Sequence, residues 1–218
     1  MFEFYTVFLH AFAPLFSIVN PIGIAPVFLA MTQQYPKKEQ NSLAYQVAIY
    51  GTVLLIATFF LGPHVLRFFG ISLANIQVAG GMLVFYTSWK MLDAAPKISS
   101  EEKKEAEKST DIAFFPLTMP ITAGAGAMAV TIALASKVTH APQQLMNQVT
   151  AITAILLAII VVFILVALCY RFSSAIFHKL GHTGTNVITR LSAFILLAIS
   201  IGMIWEGILG LMLNWKPA

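Results

Sequence analysis

The sequence predicts an all-α integral membrane protein: six transmembrane helices in two inverted three-helix repeats, with helices 1 and 4 broken near the midplane. Three observations carry this. Of 218 residues, 58% are hydrophobic and 10% charged, against roughly 25% charged in an average soluble domain, so polar residues are too few to cover a water-exposed surface. The charges cluster, leaving uncharged stretches at 4–36, 40–66, 68–89, 112–136 and 138–170, and one at 191–215 interrupted only by Glu206. Each is long enough for a spanning helix, which needs about 20 apolar residues. Finally, Pro and Gly gather inside the first and fourth stretches at corresponding places.

Helices are expected at 4–32, 43–62, 72–92, 112–136, 146–170 and 187–212. The first is not a cleaved signal peptide, although Ala11-Phe12-Ala13 resembles a cleavage site: Met1-Phe2-Glu3 carries no Lys or Arg, and apolar sequence runs well past residue 13. The third opens on Gly70-Ile71-Ser72-Leu73-Ala74-Asn75 and the sixth on Gly181-His182-Thr183-Gly184-Thr185-Asn186, Gly standing five residues before Asn in each. Asn20-Pro21-Ile22-Gly23 in the first helix faces Met119-Pro120-Ile121-Thr122-Ala123-Gly124 in the fourth. Two matches in the same order indicate a three-plus-three repeat, 1–95 and 112–218, joined by a charged linker at 96–111. An odd number of crossings per repeat makes the copies inverted, a frequent architecture of secondary transporters.

Lys and Arg set the orientation. Arg67, Lys137 and Lys216 fall on one side, whereas the other three connections hold ten cations, among them Lys37, Lys38, Lys103, Lys104, Arg171 and Arg190. The positive-inside rule puts the ten-charge side in the cytoplasm and both termini outside, as in a bacterial-type inner membrane. The net charge of +4 is therefore topological rather than a nucleic-acid footprint, and Ser100-Glu101-Glu102-Lys103-Lys104-Glu105 reads as a solvated loop. The single cysteine, Cys169, excludes an internal disulfide and a multi-cysteine zinc site.

Proline inside a helix removes a backbone donor and clashes with the preceding turn, and irregular backbone survives in lipid only where protein or a wet cavity satisfies it. Helix 1 carries Pro14, Pro21 and Pro26 with Gly23; helix 4 carries Pro116 and Pro120, then Gly124 and Gly126. At the first break Asn20 is suited to cap a new half-helix with Pro21 at its first position; at the second, Thr122 is the expected cap for a half-helix through Ala123-Gly124-Ala125-Gly126. Two helix starts of opposite direction would turn their amides and partial positive charge to one central site. Such a site suits a carboxylate without a buried cation. Carbonyls freed around Phe16-Ser17 and Leu117-Thr118 would take an ammonium group. The candidate substrate-binding residues are Ser17, Asn20, Pro21, Gly23, Thr118, Pro120, Thr122, Ala123, Gly124 and Gly126. The competing reading is that Pro kinks and Gly contacts serve helix packing alone.

The run Asn20-Pro21-Ile22-Gly23-Ile24-Ala25-Pro26-Val27-Phe28 resembles the first-helix signature of the MarC family of membrane proteins, also called SnatA-type neutral amino acid transporters. Gln77-Val78-Ala79-Gly80-Gly81-Met82-Leu83 resembles its third-helix motif, Pro116 through Gly126 its fourth, and Asn186-Val187-Ile188-Thr189-Arg190-Leu191 the start of its sixth. The resemblance covers nearly the whole chain. It implies six spans and, for members assigned an activity, transport of small neutral amino acids such as glycine and alanine. Ala125 stands where the family commonly has Pro, which predicts a softer second break.

No H-E-x-x-H or G-x-S-x-G occurs, no aspartate lies within a predicted span, and His64, His140, His178 and His182 fall in connections on both sides. The chain is accordingly read as no enzyme, with no cofactor and no metal. Its expected partners are a small neutral amino acid, H+ or Na+ as coupling ion, the lipid bilayer and a second copy in a homo-oligomer, with no nucleic acid; the alternative is a channel or a membrane-structural protein. Glu206 is either a proton-coupling carboxylate or an interfacial anchor beside Trp205, the latter favoured. His10 reads as a structural residue of the outer end. Tyr86, Gln77, Asn75, Gln46 and Asn186 read as interhelical hydrogen-bonding groups, with Asn75 and Asn186 as helix caps.

Overall fold

The computed structural model describes residues 2–93, 111–139 and 145–213, and among these every regular element is helical. In order they are α1 (Phe2–Val19), α2 (Pro21–Thr32), α3 (Lys37–Phe69), α4 (Leu73–Asp93), α5 (Ala113–Thr122), α6 (Ala125–Thr139) and α7 (Leu145–Leu213), the last interrupted at Gly181. Most of the charged linker at 96–111 lies outside the described residues; Asp111, at its end, caps α5 by accepting from the amides of Ala113 (3.1 Å) and Phe114 (3.2 Å).

Four segments are long and apolar enough to cross a membrane: Phe4–Thr32, Lys37–Phe69, Gln148–Phe177 and Thr183–Leu213. A fifth is added if Ala113–Thr122 and Ala125–Val138, bent by 67°, count as one. The sequence expectation was six. The element that falls short is α4. Its 21 residues make a rod of about 31 Å, but Asn75, Gln77, Thr87, Ser88 and Lys90 dilute its apolar character.

The second predicted helix is also much longer than 43–62. α3 runs for 33 residues, about 50 Å at 1.5 Å per residue, against roughly 30 Å of hydrocarbon. It closes at Gly70 (φ 65°), with the Gly70 and Ile71 amides bonded to the carbonyls of Arg67 and Leu66, a left-handed closure that glycine adopts without steric penalty. His64 therefore lies within a helix, its Nδ1 2.9 Å from the Phe60 carbonyl, rather than in a connection. α6 likewise extends through Thr139, placing Lys137 in its last turn.

The expected asparagine caps do not form at these places. Ser72 precedes α4 and its Oγ accepts from the Asn75 amide (3.3 Å), while Asn186 lies inside the helix that follows Gly181. Gly70 and Gly181 are the glycines with positive φ among the described residues, both at 65°, and they occupy the matched positions of the two sequence repeats. Of the polar groups read as interhelical, Gln77 on α4 donates to Glu206 on α7 (3.2 Å). Gln46 instead bonds Ser42 on its own helix (3.1 Å), and Tyr86 lies under Lys90 of its own helix (4.9 Å).

The core is built by one stripe from each helix. On α7, Ile155, Ile159, Val162, Val166 and Tyr170 are buried, spaced three and four apart as one helical face requires. They meet Leu15 and Val19 of α1, Phe28 of α2 and Val47 and Leu55 of α3. After Gly181, Thr189, Ala193, Leu196 and Ser200 form the next inward stripe. Close approach of α4 to this second part of α7 rests on small residues. A Cβ at Gly207 would lie 2.8 Å from the Ala74 carbonyl oxygen, and one at Gly81 would lie 2.8 Å from the Ile204 side chain. Such small-residue crossings maximise packing where lipid supplies no hydrophobic drive between helices.

Candidate functional site

At the first break, α1 and α2 form one span interrupted at a single residue. Asn20 takes the left-handed conformation (φ 48°, ψ 57°), which asparagine tolerates better than most residues. Its amide donates to the Phe16 carbonyl (2.9 Å) and its carbonyl accepts from Ile24 (3.0 Å). Its side-chain Oδ1 accepts from the Gly23 amide (3.1 Å), and Pro21 opens α2. Asn20 thus has the N-cap geometry its sequence position suggests. Gly23 is needed for space: a Cβ there would lie 2.3 Å from Asn20 Nδ2. With Oδ1 engaged, Nδ2 is left buried without a partner, on a residue that is 8% exposed. A buried donor left unmade is penalised by about 1–3 kcal/mol, so Nδ2 is the strongest local signal for a missing acceptor. Pro21 has no N–H, so the Ser17 carbonyl lacks its usual partner four residues on. The Ser17 side chain is half-buried.

At the second break the two helices meet at 67°. α5 is a wide helix in which Phe115 (φ −128°, ψ 123°) and Met119 (φ −116°, ψ 122°) are extended. Each precedes a proline, whose ring excludes the helical region for its predecessor. Both X-Pro bonds are cis. The threonines stabilise the wide turns: Thr118 Oγ1 donates to the Ala113 carbonyl and Thr122 Oγ1 to the Leu117 carbonyl, both at 2.6 Å and five residues back. A tandem repeat X-Pro-aliphatic-Thr at 115–118 and 119–122 encodes this, and is the sequence signal that could have revealed it. Two of the carbonyls expected to serve an ammonium group are engaged here, Leu117 by Thr122 Oγ1 and Thr118 by the Ala123 amide (2.8 Å).

Thr122 does not cap the next half-helix, because its hydroxyl faces back. Besides the Leu117 carbonyl it meets the Tyr170 hydroxyl at 2.8 Å. α6 starts instead after Gly124, whose carbonyl accepts from Met128 (3.2 Å). A Cβ on Gly124 would lie 2.6 Å from the Pro120 carbonyl oxygen. The amides of Ala125, Gly126 and Ala127 open α6 with no carbonyl four residues back to receive them, as in any helix start.

A cavity of about 200 Å3 lies against this second break, with Pro120, Thr122, Gly124 and Gly126 on its wall. Ile18 and Ile24, which bracket Asn20, line it as well. Of the predicted site residues, Ser17, Asn20, Pro21, Gly23, Thr118 and Ala123 are not on that wall. Besides further residues of the second break, the wall includes elements that sequence reading had not connected with the site: α4, among them Val84, Thr87 and Ser88, and Leu196 of α7. No charged side chain lines it. Gly126 has a second role, because its Cβ would lie 2.2 Å from Val84 Cγ2; it is a packing contact between α6 and α4.

Tyr170 was missed. It stands directly before Arg171 and so reads as an interfacial tyrosine, yet it is 2% exposed. Phe28 of α2 stacks on its ring (centroids 4.4 Å apart, planes at 17°). Through its hydroxyl it ties α7 to the second break, and through its ring to the half-helix that leaves the first. Tyr170→Phe retains the stack and removes the bond to Thr122, which keeps the Leu117 carbonyl. A loss of about 1 kcal/mol is expected, read as a lower thermal midpoint in detergent; an unchanged midpoint would mean the bond contributes nothing. The other polar candidates are engaged outside the cavity: His10 Nδ1 lies 2.7 Å from the Thr6 carbonyl, and Glu206 accepts from Gln77 on an exposed face.

The model for the family of MarC family integral membrane proteins matches residues 5–212. The UPF0056 membrane protein YvbG of Bacillus subtilis is 33% identical over 215 residues, covering 97% of each chain. The UPF0056 membrane protein YhcE of Escherichia coli is 32% identical over 214 residues, covering 95% of this chain and 94% of its own. The UPF0056 inner membrane protein MarC of Salmonella typhimurium is 31% identical over 206 residues, covering 89% and 90%. No solved structure matches.

Proposed function

We propose that this chain, which belongs to the MarC family of integral membrane proteins, is a secondary transporter moving small neutral amino acids of the glycine and alanine kind across the inner membrane by alternating access, as SnatA-type members do. The observation that carries this reading is the cavity at the second break. It is bounded by the amide-rich start of α6, lined by no charged side chain, and reaches the α1–α2 span at Ile18 and Ile24, on either side of the break at Asn20. Helix-start amides on the wall are donors for a carboxylate; the Asn20 carboxamide N–H, which is not on that wall, would join them only in another state of the transport cycle. Pro120, on the wall, offers its carbonyl as an acceptor for the ammonium group; the Ser17 carbonyl freed by Pro21 lies off the wall, as Asn20 does. Size supports the substrate class. Pockets for drug-sized ligands run to about 300–1,000 Å3, so about 200 Å3 favours a molecule of five or six heavy atoms over drug export.

The transmembrane arrangement proposed is six spans in two inverted repeats, with α4 as a crossing that buries Ser88 and pairs Gln77 with Glu206 of α7. In support, the outward face of α4 carries Met82, Leu83, Phe85 and Trp89, which suit lipid, and the positive-φ glycines 70 and 181 open the corresponding third and sixth spans. Each break falls in the middle third of its span, which would bring the two near one depth in the bilayer. The Lys and Arg distribution orients the termini outward. H+ or Na+ would be the coupling ion, Glu206 an interfacial anchor, and homo-oligomer formation compatible with the exposed apolar faces. Packing by itself accounts for Gly126, and the channel or membrane-structural reading rests on contacts of that kind.

The test is reconstitution. Purified protein in liposomes loaded with glycine should exchange external labelled glycine saturably, with unlabelled L-alanine competing. Linear, non-saturating flux would favour a channel, and absence of flux for every small neutral amino acid would overturn the proposal.

A further inference from the structure

A second, larger cavity of about 500 Å3 lies away from the breaks, where the end of α3, the start of α4 and the end of α6 converge. Its floor is apolar, formed by Pro63, Leu66, Ile71 and Leu73, and two cations from different helices, Arg67 and Lys137, share its wall. Both cations are exposed, and two positive charges on one wall suit the cavity to an anion. Neither side chain has an acidic partner or a carbonyl acceptor among the described residues. The carbonyls nearest Arg67, its own and that of Leu66, are already taken by the amides of Gly70 and Ile71. α4 begins at Leu73 on the same wall, adding the partial positive charge of a helix start.

We infer that this cavity holds the headgroup of an anionic phospholipid, with Arg67 and Lys137 on its phosphate and the Pro63, Leu66 and Ile71 surface against the upper part of its acyl chains. Three features favour a lipid over a free anion. The cavity is amphiphilic, and inorganic phosphate would leave the apolar floor wet. Phe68 and Phe69, beside Arg67, are 84% and 67% exposed, large apolar side chains that suit lipid better than water. A guanidinium grips a phosphate with two parallel hydrogen bonds, which suits a lipid headgroup of the outer leaflet, the side on which the Lys and Arg distribution places Arg67 and Lys137. The plainer role for both cations, facing the negative ends of α3 and α6, predicts no lipid preference.

The experiment is native mass spectrometry and thermal melting of purified full-length protein, with phosphatidylglycerol, phosphatidylcholine or inorganic phosphate added. Wild-type protein should retain phosphatidylglycerol through purification and be stabilised by it more than by phosphatidylcholine. R67Q with K137Q should weaken retention by about tenfold or more. R67K with K137R keeps both charges and should retain the lipid, which separates lost binding from a folding defect. Equal retention by wild-type and the glutamine variant, or equal effects of the two lipids, would overturn the inference. Stabilisation by inorganic phosphate matching that by phosphatidylglycerol would replace the lipid with a free anion and overturn it too.

Discussion

Asn20→Asp is expected to leave the protein folded in the membrane while reducing apparent affinity for glycine or alanine by about a hundredfold or more. The substitution is nearly isosteric. Asp tolerates the left-handed conformation at φ 48°, its carboxylate accepts from the Gly23 amide as Oδ1 does at 3.1 Å, and a negative group suits the start of α2. What changes is Nδ2, a buried donor without a partner, which lies off the cavity wall and which the proposed transport cycle would bring to the substrate carboxylate. A hydrogen bond to a charged group contributes about 1.5–3 kcal/mol, roughly ten- to a hundredfold in affinity, and like-charge repulsion adds to the loss. Asn20→Ala removes donor and acceptor without adding charge, at the further expense of a helix cap worth about 1 kcal/mol. Saturable uptake measured beside thermal midpoints separates the two effects. Affinity unchanged in both variants would remove Asn20 from the site.

Gly124→Val is expected to have an effect of similar size for a different reason. The added Cβ would lie 2.6 Å from the Pro120 carbonyl oxygen, and that neighbour is backbone, which no rotamer change can clear. The break must shift, and with it the Pro120 carbonyl and the first amides of α6, which bound the cavity. Overpacking costs about 1–3 kcal/mol; borne by the liganded geometry, that is roughly a ten- to hundredfold loss of apparent affinity. Gly126→Val is a poorer probe, because its Cβ meets Val84 of α4 at 2.2 Å and would disturb packing whatever the cavity does. Normal glycine uptake by a folded Gly124→Val protein would show that the second break does not shape the site.

The two breaks were legible in sequence to different degrees. Asn20, Pro21 and Gly23 are local in cause: a side chain that bonds its own backbone three residues on, a ring that fixes φ, and a position with no room for a Cβ. Their geometry follows from residues within one turn. At the second break the prolines and glycines mark the place, but the sequence reading did not give the wide turns before it. Its bend of 67° falls at Ala123-Gly124, between α5 and α6, directly after the X-Pro-aliphatic-Thr repeat, whose threonine hydroxyls turn back to carbonyls five residues before them. The site residues contributed by α4 and Tyr170 had no local signature, since their relation to the cavity depends on contacts across more than forty residues of chain.

By itself the sequence determined that this is a multi-span helical membrane protein, which segments are apolar, and where the first and fourth predicted helices are interrupted. These follow from composition, run length and the backbone chemistry of Pro, Gly and Asn. Only the tertiary structure decided which face of each helix turns inward. On α7, buried Ile159 and Val166 and exposed Ile160 and Ile164 are chemically alike. In water, polarity marks the outer face of a helix. In a bilayer the surroundings are as apolar as the core, so the choice falls to shape: where a missing Cβ lets two helices close, and where a buried hydroxyl such as that of Tyr170 finds its partner.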